Sequence, residues 1–309
     1  MTVFSRRHLV LGGAALAVAG PVFTQPPPLV FAFQPQKDPA GIKAAADRMS
    51  AALSQRLGRK VDVLIPLAYA ATVQALVSRR ADAAWVSSLP YLLAQRDGGA
   101  ELLLAEVRTD TRGRERTDYD SVFVVPVDSP LRTFDDLKRN AKSLRMAFTS
   151  NTSTSGYVFP YARMVREGML RKGQPPEHAF RSVSYAGGYT QALEQLLAGR
   201  ADVAAVSDYT VEGPRRATYL PEERQRELRI LARTPGVPTH VVAVRGGLDA
   251  RTKSSIREAL LAVSRSDPGL LSDVYGASSL RVVDPGRHAR ATVQAIEMTG
   301  LPIKGLVGA

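Results

Sequence analysis

The chain has 309 residues, 45% of them apolar, a formal charge of +12, four histidines and no cysteine, which at roughly 150 residues per domain is material for about two domains. The lack of cysteine excludes disulfide scaffolds, thiolate zinc sites, iron–sulfur centres and cysteine nucleophiles; His8, His178, His240 and His288 show no metal-ligand spacing, so neither metal nor cofactor is expected. The basic excess is dispersed among acids, densest at Arg112, Arg114 and Arg116, a pattern that argues against nucleic acid and for a weak attraction to anions.

Residues 1–25 read as an export signal. A short basic segment ends in Ser5-Arg6-Arg7, and a weakly apolar run from Leu9 to Phe23 follows. Paired arginines before a mild apolar stretch resemble the twin-arginine signal of proteins exported already folded. The run is shorter than the about 20 residues of a membrane span, and Ala17-Val18-Ala19 offers a small-x-small cleavage site. Loss of Arg6 and Arg7 leaves a charge of +10. The mature chain is therefore expected in the periplasm, where no ATP is available, and it has no GxxxxGK[ST] or GxGxxG sequence. An uncleaved N-terminal anchor is the alternative.

Beyond the signal, strand and helix patterns alternate. Apolar runs predict strands at 29–33, 61–65, 83–86 and 101–107, with helices at 39–57, 70–79 and 89–96 between them. Further strands are predicted at 121–126, 144–149, 180–185, 203–206, 228–232 and 241–244. Helices are predicted at 133–139, 154–168 and 190–198, then near 249–264, 268–275 and 288–297. Such alternation argues for α/β sheets, largely parallel, flanked by helices. Open sheets of this type bind ligands outside the carboxyl ends of their strands. That rule singles out Ser87, residues 149–155 and Ser207-Asp208.

An internal match at an offset of 120 residues organises this alternation. Residues 69–88 (YAATVQALVSRRADAAWVSS) and 189–208 (YTQALEQLLAGRADVAAVSD) agree at eight of twenty positions, including Tyr69/Tyr189, Asp82/Asp202 and Ser87/Ser207. Each copy has helical apolar spacing, an Arg-Ala-Asp corner and a short apolar strand ending in serine. A period of this length implies two similar lobes, because solenoid units run roughly 20–50 residues.

The segment from Thr149 to Gly156 (TSNTSTSG) follows a predicted strand and opens a predicted helix. The first N–H groups of a helix have no intrahelical partner and favour negative charge. Ser153, Thr154 and Ser155 add hydroxyl donors without a permanent charge, and Gly156 lets the first turn pack closely. The same segment also suits an ordinary helix cap.

Ser153-Thr154-Ser155-Gly156-Tyr157, with Pro160 beyond, resembles the S-T-S-G-Y-x-x-P signature of the periplasmic phosphate-, phosphite- and phosphonate-binding proteins of ABC transporters. Tyr69 at a helix start, the segment from Trp85 to Ala94, Tyr119-Asp120-Ser121 and Ala186-Gly187-Gly188 are similar to that family's elements in the same order. The resemblance covers most of residues 28–245. It implies an α/β, two-lobed type II periplasmic-binding-protein fold with the ligand cleft between the lobes. It also implies that Ser153, Thr154 and Ser155 bind ligand oxygens, and that Tyr69 and Tyr119 donate phenolic hydrogen bonds. Tyr189 stands where the family usually has an anion-contacting histidine, and a phenol cannot carry an imidazolium's charge. Asp208 falls where aminophosphonate binders place an acid facing the substrate amine, and His240 falls near a second such acid.

The organisation expected on these grounds is a signal at 1–25, a first lobe at 26–118 plus 236–309, and a second at 119–235. The expected function is non-enzymatic, since there is no GxSxG elbow and no Ser-His pair at a suggestive spacing. A small tetrahedral oxyanion would be captured by hinge closure and passed, by a monomeric protein, to an ABC permease in the membrane. The alternative is a sensor that presents the closed lobes to a membrane histidine kinase.

Overall fold

A computed structural model describes residues 26–37 and 39–301; the export signal expected at 1–25, with the arginine pair and cleavage site read there, lies outside the described residues. In chain order the strands are β1 (Leu29–Phe33), β2 (Val61–Leu64), β3 (Ala83–Val86), β4 (Glu101–Thr109), β5 (Glu115–Arg116) and β6 (Asp118–Pro126). They continue with β7 (Arg145–Phe148), β8 (Ser182–Tyr185), β9 (Val203–Ser207), β10 (Leu228–Pro238), β11 (Val241–Val244) and β12 (Ser279–Arg281). Two sheets result. The first has the order β12-β4-β11-β3-β1-β2 with β5 on β4, and the second β10-β6-β9-β7-β8. The short β5 and β12 carry no apolar run from which they could be predicted.

Parallel pairing is confined to β2-β1-β3 and β8-β7-β9. The other pairs are antiparallel, so alternation overstates the parallel share. The reason lies in the connections. Parallel strands need a crossover helix, and β4, β6, β10 and β11 are instead joined by segments that carry the chain from one sheet to the other.

The sequence repeat is a repeat of structure. Helices Tyr69–Val77 and Tyr189–Leu197 each begin on their tyrosine, and each ends in a left-handed residue, Arg79 at φ 59° and Gly199 at φ 63°. The Arg-Ala-Asp corner then does the same work twice. Asp82 accepts from the Val30 amide at 3.0 Å, and Asp202 from the Arg145 amide at 2.7 Å. The backbone N–H of each aspartate returns a bond to the carbonyl of the same partner. The corner thus pins the first strand of each three-stranded parallel unit beside its third.

Alternating side chains split the first sheet's burial between two cores. Phe31, Phe33, Trp85 and Val242 point to an outer core with Met49, Leu260 and Tyr275, while Ala32, Ala84 and Val241 face an inner core continuous with the second sheet. The last helix, Pro285–Thr299, bridges the two halves: it packs on helix Phe159–Arg166 and β10 of the second sheet and also on helix Ser88–Gly98 beside the first, where Thr292 Oγ1 lies 2.7 Å from Ser88 Oγ. Its Ala289, Ala295 and Ile296 are buried in the inner core there, and the Thr299 carbonyl accepts from the Gly173 amide at 2.7 Å. Among the described residues no helix is long and apolar enough to cross a membrane.

Candidate functional site

The Ser/Thr segment opens its helix on a wide turn, Thr154–Val158, with i→i+5 bonding, before the α-helix Phe159–Arg166. Ser153 is the cap, its hydroxyl accepting from the Gly156 amide at 3.0 Å. Position 156 has room for no side chain, since a Cβ there would lie 2.2 Å from Thr149 Oγ1 and 2.4 Å from Thr149 Cβ. Ser153, Thr154 and Ser155 are all fully buried. They are covered by the first lobe itself. Thr154 Oγ1 accepts from the Leu89 amide at 2.9 Å and from Ser88 Oγ at 3.4 Å, and Ser88 Oγ lies 2.7 Å from Thr292 Oγ1 of the last helix.

Ser155 is the centre of a hydroxyl cluster. Its Oγ lies 2.8 Å from Tyr189 OH and accepts from Tyr119 OH at 3.4 Å, while its carbonyl accepts from Ser121 Oγ at 2.7 Å. Tyr69 OH is buried beside this cluster without a hydrogen-bond partner. Burial raises the Tyr69 phenol far above its usual range, and the neighbouring Tyr189 and Tyr119 add to the rise. The Tyr119 phenol is raised likewise, by burial first, so Tyr69 and Tyr119 stay protonated donors at neutral pH. The repeat places Tyr69 and Tyr189 at equivalent helix starts, one from each lobe, which is why they converge. The glycine pair before Tyr189 permits the approach. A Cβ on Gly188 would meet Gln191 Oε1 at 2.2 Å and the Pro35 carbonyl at 3.1 Å, and the Tyr189 amide donates to the Gln36 carbonyl at 3.0 Å.

Asp208 and His240 lie to either side of this cluster. His240 is fully buried, stacks on Tyr119 at 6.1 Å between ring centroids, and has Glu106 Oε2 3.8 Å from its Nδ1. Burial and the Arg108 cation hold it well below the usual histidine range, so it is neutral. Asp208 follows β9 and lines a cavity of about 420 Å³ with Tyr119, Asp120, Tyr209 and Arg233. Burial pushes its carboxyl up to about 6, with Asp120 adding to the shift. Six of the eight sequence candidates, Tyr119, Ser153, Thr154, Ser155, Tyr189 and His240, are thus reached by hydrogen bonds or ring packing in one buried assembly, and Tyr69 is buried beside it. Asp208 contacts it only across the cavity, whose wall Tyr119 and Tyr209 form.

Other buried polar groups escaped sequence reasoning. Arg108 is buried, forms an ion pair with Glu106, and lies 3.5 Å from the centroid of the Tyr209 ring. Burial works against both charges: it pushes the Glu106 carboxyl up to about 7 although Arg108 and the Trp85 bond oppose the rise, while Glu106 keeps the Arg108 guanidinium cationic. Trp85 Nε1 donates to Glu106 at 3.1 Å. The signal was visible in Leu102-Leu103-Leu104-Ala105-Glu106-Val107-Arg108, where two opposite charges interrupt a buried strand. Gln34, Gln36, Tyr209, Tyr219 and Tyr275 complete the surroundings and carry no local sequence signal. Among the described residues no group of histidine and acidic side chains is placed to hold a metal ion.

Two mixed sheets linked by crossing strands, with hydroxyls from both lobes gathered at one helix start, define a two-lobed binding-protein architecture. The family described as "ABC transporter, phosphonate, periplasmic substrate-binding protein" matches residues 31–286, and the chain belongs to that family. The chain is 25% identical over 188 residues to the phosphate-import protein PhnD of Mycolicibacterium smegmatis, a match covering 60% of this chain and 57% of the relative. It is 25% identical over 204 residues to the phosphonates-binding periplasmic protein of Escherichia coli, covering 66% and 56%. The chain therefore matches somewhat over half the length of these relatives. The fold is similar to that of a binding protein component of an ABC phosphonate transporter from Pseudomonas aeruginosa, with TM-score 0.74, 19% identity, and coverage of 90% of this chain and 97% of the other.

Proposed function

We propose that this chain is the extracytoplasmic substrate-binding component of an ABC importer, and that it captures a phosphite, phosphonate or phosphate-like oxyanion between its lobes and delivers it to a membrane permease. The observation that carries this reading is the meeting of Tyr119, Tyr189 and Ser155 hydroxyls at the start of helix Thr154–Val158, against Ser88 and Leu89 of the first lobe. Helix-start amides and neutral hydroxyls can replace the water shell of an anion without a counter-cation.

In this reading Ser153 shapes the helix start, Thr154 ties it to the first lobe, and Ser155, Tyr119, Tyr189 and Tyr69 donate to ligand oxygens. His240 supplies a neutral imidazole behind Tyr119. Asp208 faces a substituent or a protonated oxygen of the ligand, since an ionised carboxylate repels an unprotonated oxyanion. Closure is a hinge motion about the crossings near 118 and 238, which approximate the lobe limits 26–118 with 236–309 and 119–235. Residues 1–25 would direct export to the periplasm, and the protein would act as a monomer without a cofactor.

A thermal-unfolding screen against phosphite, phosphate, methylphosphonate, aminoethylphosphonate and alkylsulfonates tests this. A ligand at about 100 times its Kd stabilises the folded state by roughly 2.7 kcal/mol, so the true cargo raises the Tm by several degrees. No shift with any phosphorus oxyanion at millimolar concentration, together with a shift from an unrelated solute, refutes the reading.

A further inference from the structure

We propose that Gln34 and Gln36 make the first lobe's direct hold on the oxyanion through their side-chain amide nitrogens, an inference that rests on the function proposed above. Both follow β1 and both are fully buried. Gln34 Oε1 accepts from the Ser87 amide at 3.1 Å and from Ser87 Oγ at 3.2 Å. A backbone N–H can only donate, so the atom it meets must be the carbonyl oxygen, and the NH₂ end of Gln34 lies on the other side. Gln36 Oε1 accepts from Tyr209 OH at 3.3 Å. Neither Nε2 makes a well-formed hydrogen bond, the Gln36 carboxamide having besides Tyr209 only the Tyr275 phenol in reach, and Tyr69 OH and Ser207 Oγ are likewise unmatched. Buried donors are rarely left unmatched, and several together mark a functional place.

Their position joins them to the hydroxyl cluster. The Gln36 carbonyl takes the amide of Tyr189, whose phenol meets Ser155. The ring of Tyr209, bonded to Gln36, packs edge-on against Tyr119 at 5.0 Å and Tyr189 at 6.0 Å. The second lobe thus offers hydroxyls, and the first lobe offers carboxamides beside the Tyr69 phenol. These donors are neutral, and the nearby Arg108 is already paired with Glu106. Such a set of neutral donors selects an oxyanion by the directions of its hydrogen bonds. Leucine or methionine would fill the same volume if packing were the only task.

The competing role is a clasp, in which the glutamines only bridge Ser87 and Tyr209. Gln34→Glu and Gln36→Glu separate the two, because each keeps the accepting oxygen and exchanges the free NH₂ for a second oxygen. Phosphite and methylphosphonate binding to the full chain is measured by calorimetry at about pH 8 and about pH 5. At the higher pH each variant is expected to bind about a hundredfold more weakly than the unaltered protein, from a lost charge-assisted bond and like-charge repulsion. At the lower pH the carboxyl takes up a proton and becomes an O–H donor, and the deficit narrows to about tenfold or less. Binding within about threefold of the unaltered protein at both pH values overturns the proposal, and so does an equal loss at both, the mark of a distorted chamber. Should the glutamate variants fail to fold, Gln36→Met is expected to weaken binding about tenfold, and unchanged binding counts against the proposal. If the unaltered protein binds neither anion, the functional reading fails and this inference with it; if it binds them and the variants do too, only this inference fails.

Discussion

Gly156→Ala tests how the helix start is built. Gly156 is not in the left-handed region, so alanine meets no backbone penalty and the cost is steric. Its Cβ would lie 2.4 Å from Thr149 Cβ and 2.2 Å from Thr149 Oγ1, whereas non-bonded carbons rest at about 3.5–4.0 Å. The two must part by roughly 1 Å. Thr149 is poorly placed to yield, because its hydroxyl donates to the Ala205 carbonyl at 2.9 Å and its amide donates to the Gly156 carbonyl at 3.2 Å. Overpacking of this kind costs about 3 kcal/mol, which lowers the Tm by about 6–12 °C in a chain of this size. The displaced turn also carries Ser155 away from Tyr119 and Tyr189, so phosphite affinity measured by calorimetry falls about tenfold or more. Thr149→Gly removes both clashing atoms, and the double variant should recover part of the lost stability, a positive coupling between the sites. A Gly156→Ala protein that unfolds within about 2 °C of the original and binds phosphite equally well would refute the steric argument.

Ser155→Ala removes the atom on which Tyr119 and Tyr189 converge, and should weaken oxyanion binding by about 1–3 kcal/mol. Tyr189→His restores a chargeable donor and should shift preference towards ordinary phosphonates; an identical ranking across the ligand panel would place residue 189 outside the ligand's contacts. Asp208 is harder to ionise folded, at about 6, than unfolded, at about 3.9. Its contribution to stability is therefore complete below about pH 4 and is lost as pH rises through about 6, a difference of roughly 3 kcal/mol. Asp208→Asn should raise the Tm near pH 8 and change it little near pH 4, and an equal change at both would contradict this. Asp82→Ala and Asp202→Ala remove the same corner bond in the two lobes and should each cost about 1–3 kcal/mol in denaturant unfolding. Loss in one lobe alone would argue against equivalent roles.

Much of the architecture was legible because local chemistry and tertiary packing agree. The strands Leu29–Phe33, Ala83–Val86 and Val241–Val244 fall where apolar runs put them, and the repeated Arg-Ala-Asp corner marks a bond made by its own aspartate to a strand over 50 residues earlier. The Thr154–Val158 turn was expected as ordinary helix. Pro160 has no N–H to return to the Gly156 carbonyl, which accepts instead from the Thr149 amide of the strand behind, at 3.2 Å. Gln34, Gln36 and Tyr209 were invisible for a different reason. A glutamine after a strand reads as exposed loop until a second lobe covers it.

The order of residues determined by itself the two-lobed α/β plan, the hydroxyl-rich helix start and the pair of tyrosines that head equivalent helices. Those properties rest on short-range periodicity and on a duplicated segment, both carried within a few turns of chain. Only the tertiary structure decided that the helix start is sealed beneath Ser88 and Leu89, that Arg108 and Glu106 are buried as a pair nearby, and that the last helix packs against both halves. These depend on which distant surfaces lose water together, and burial, unlike periodicity, is a property of the assembled molecule.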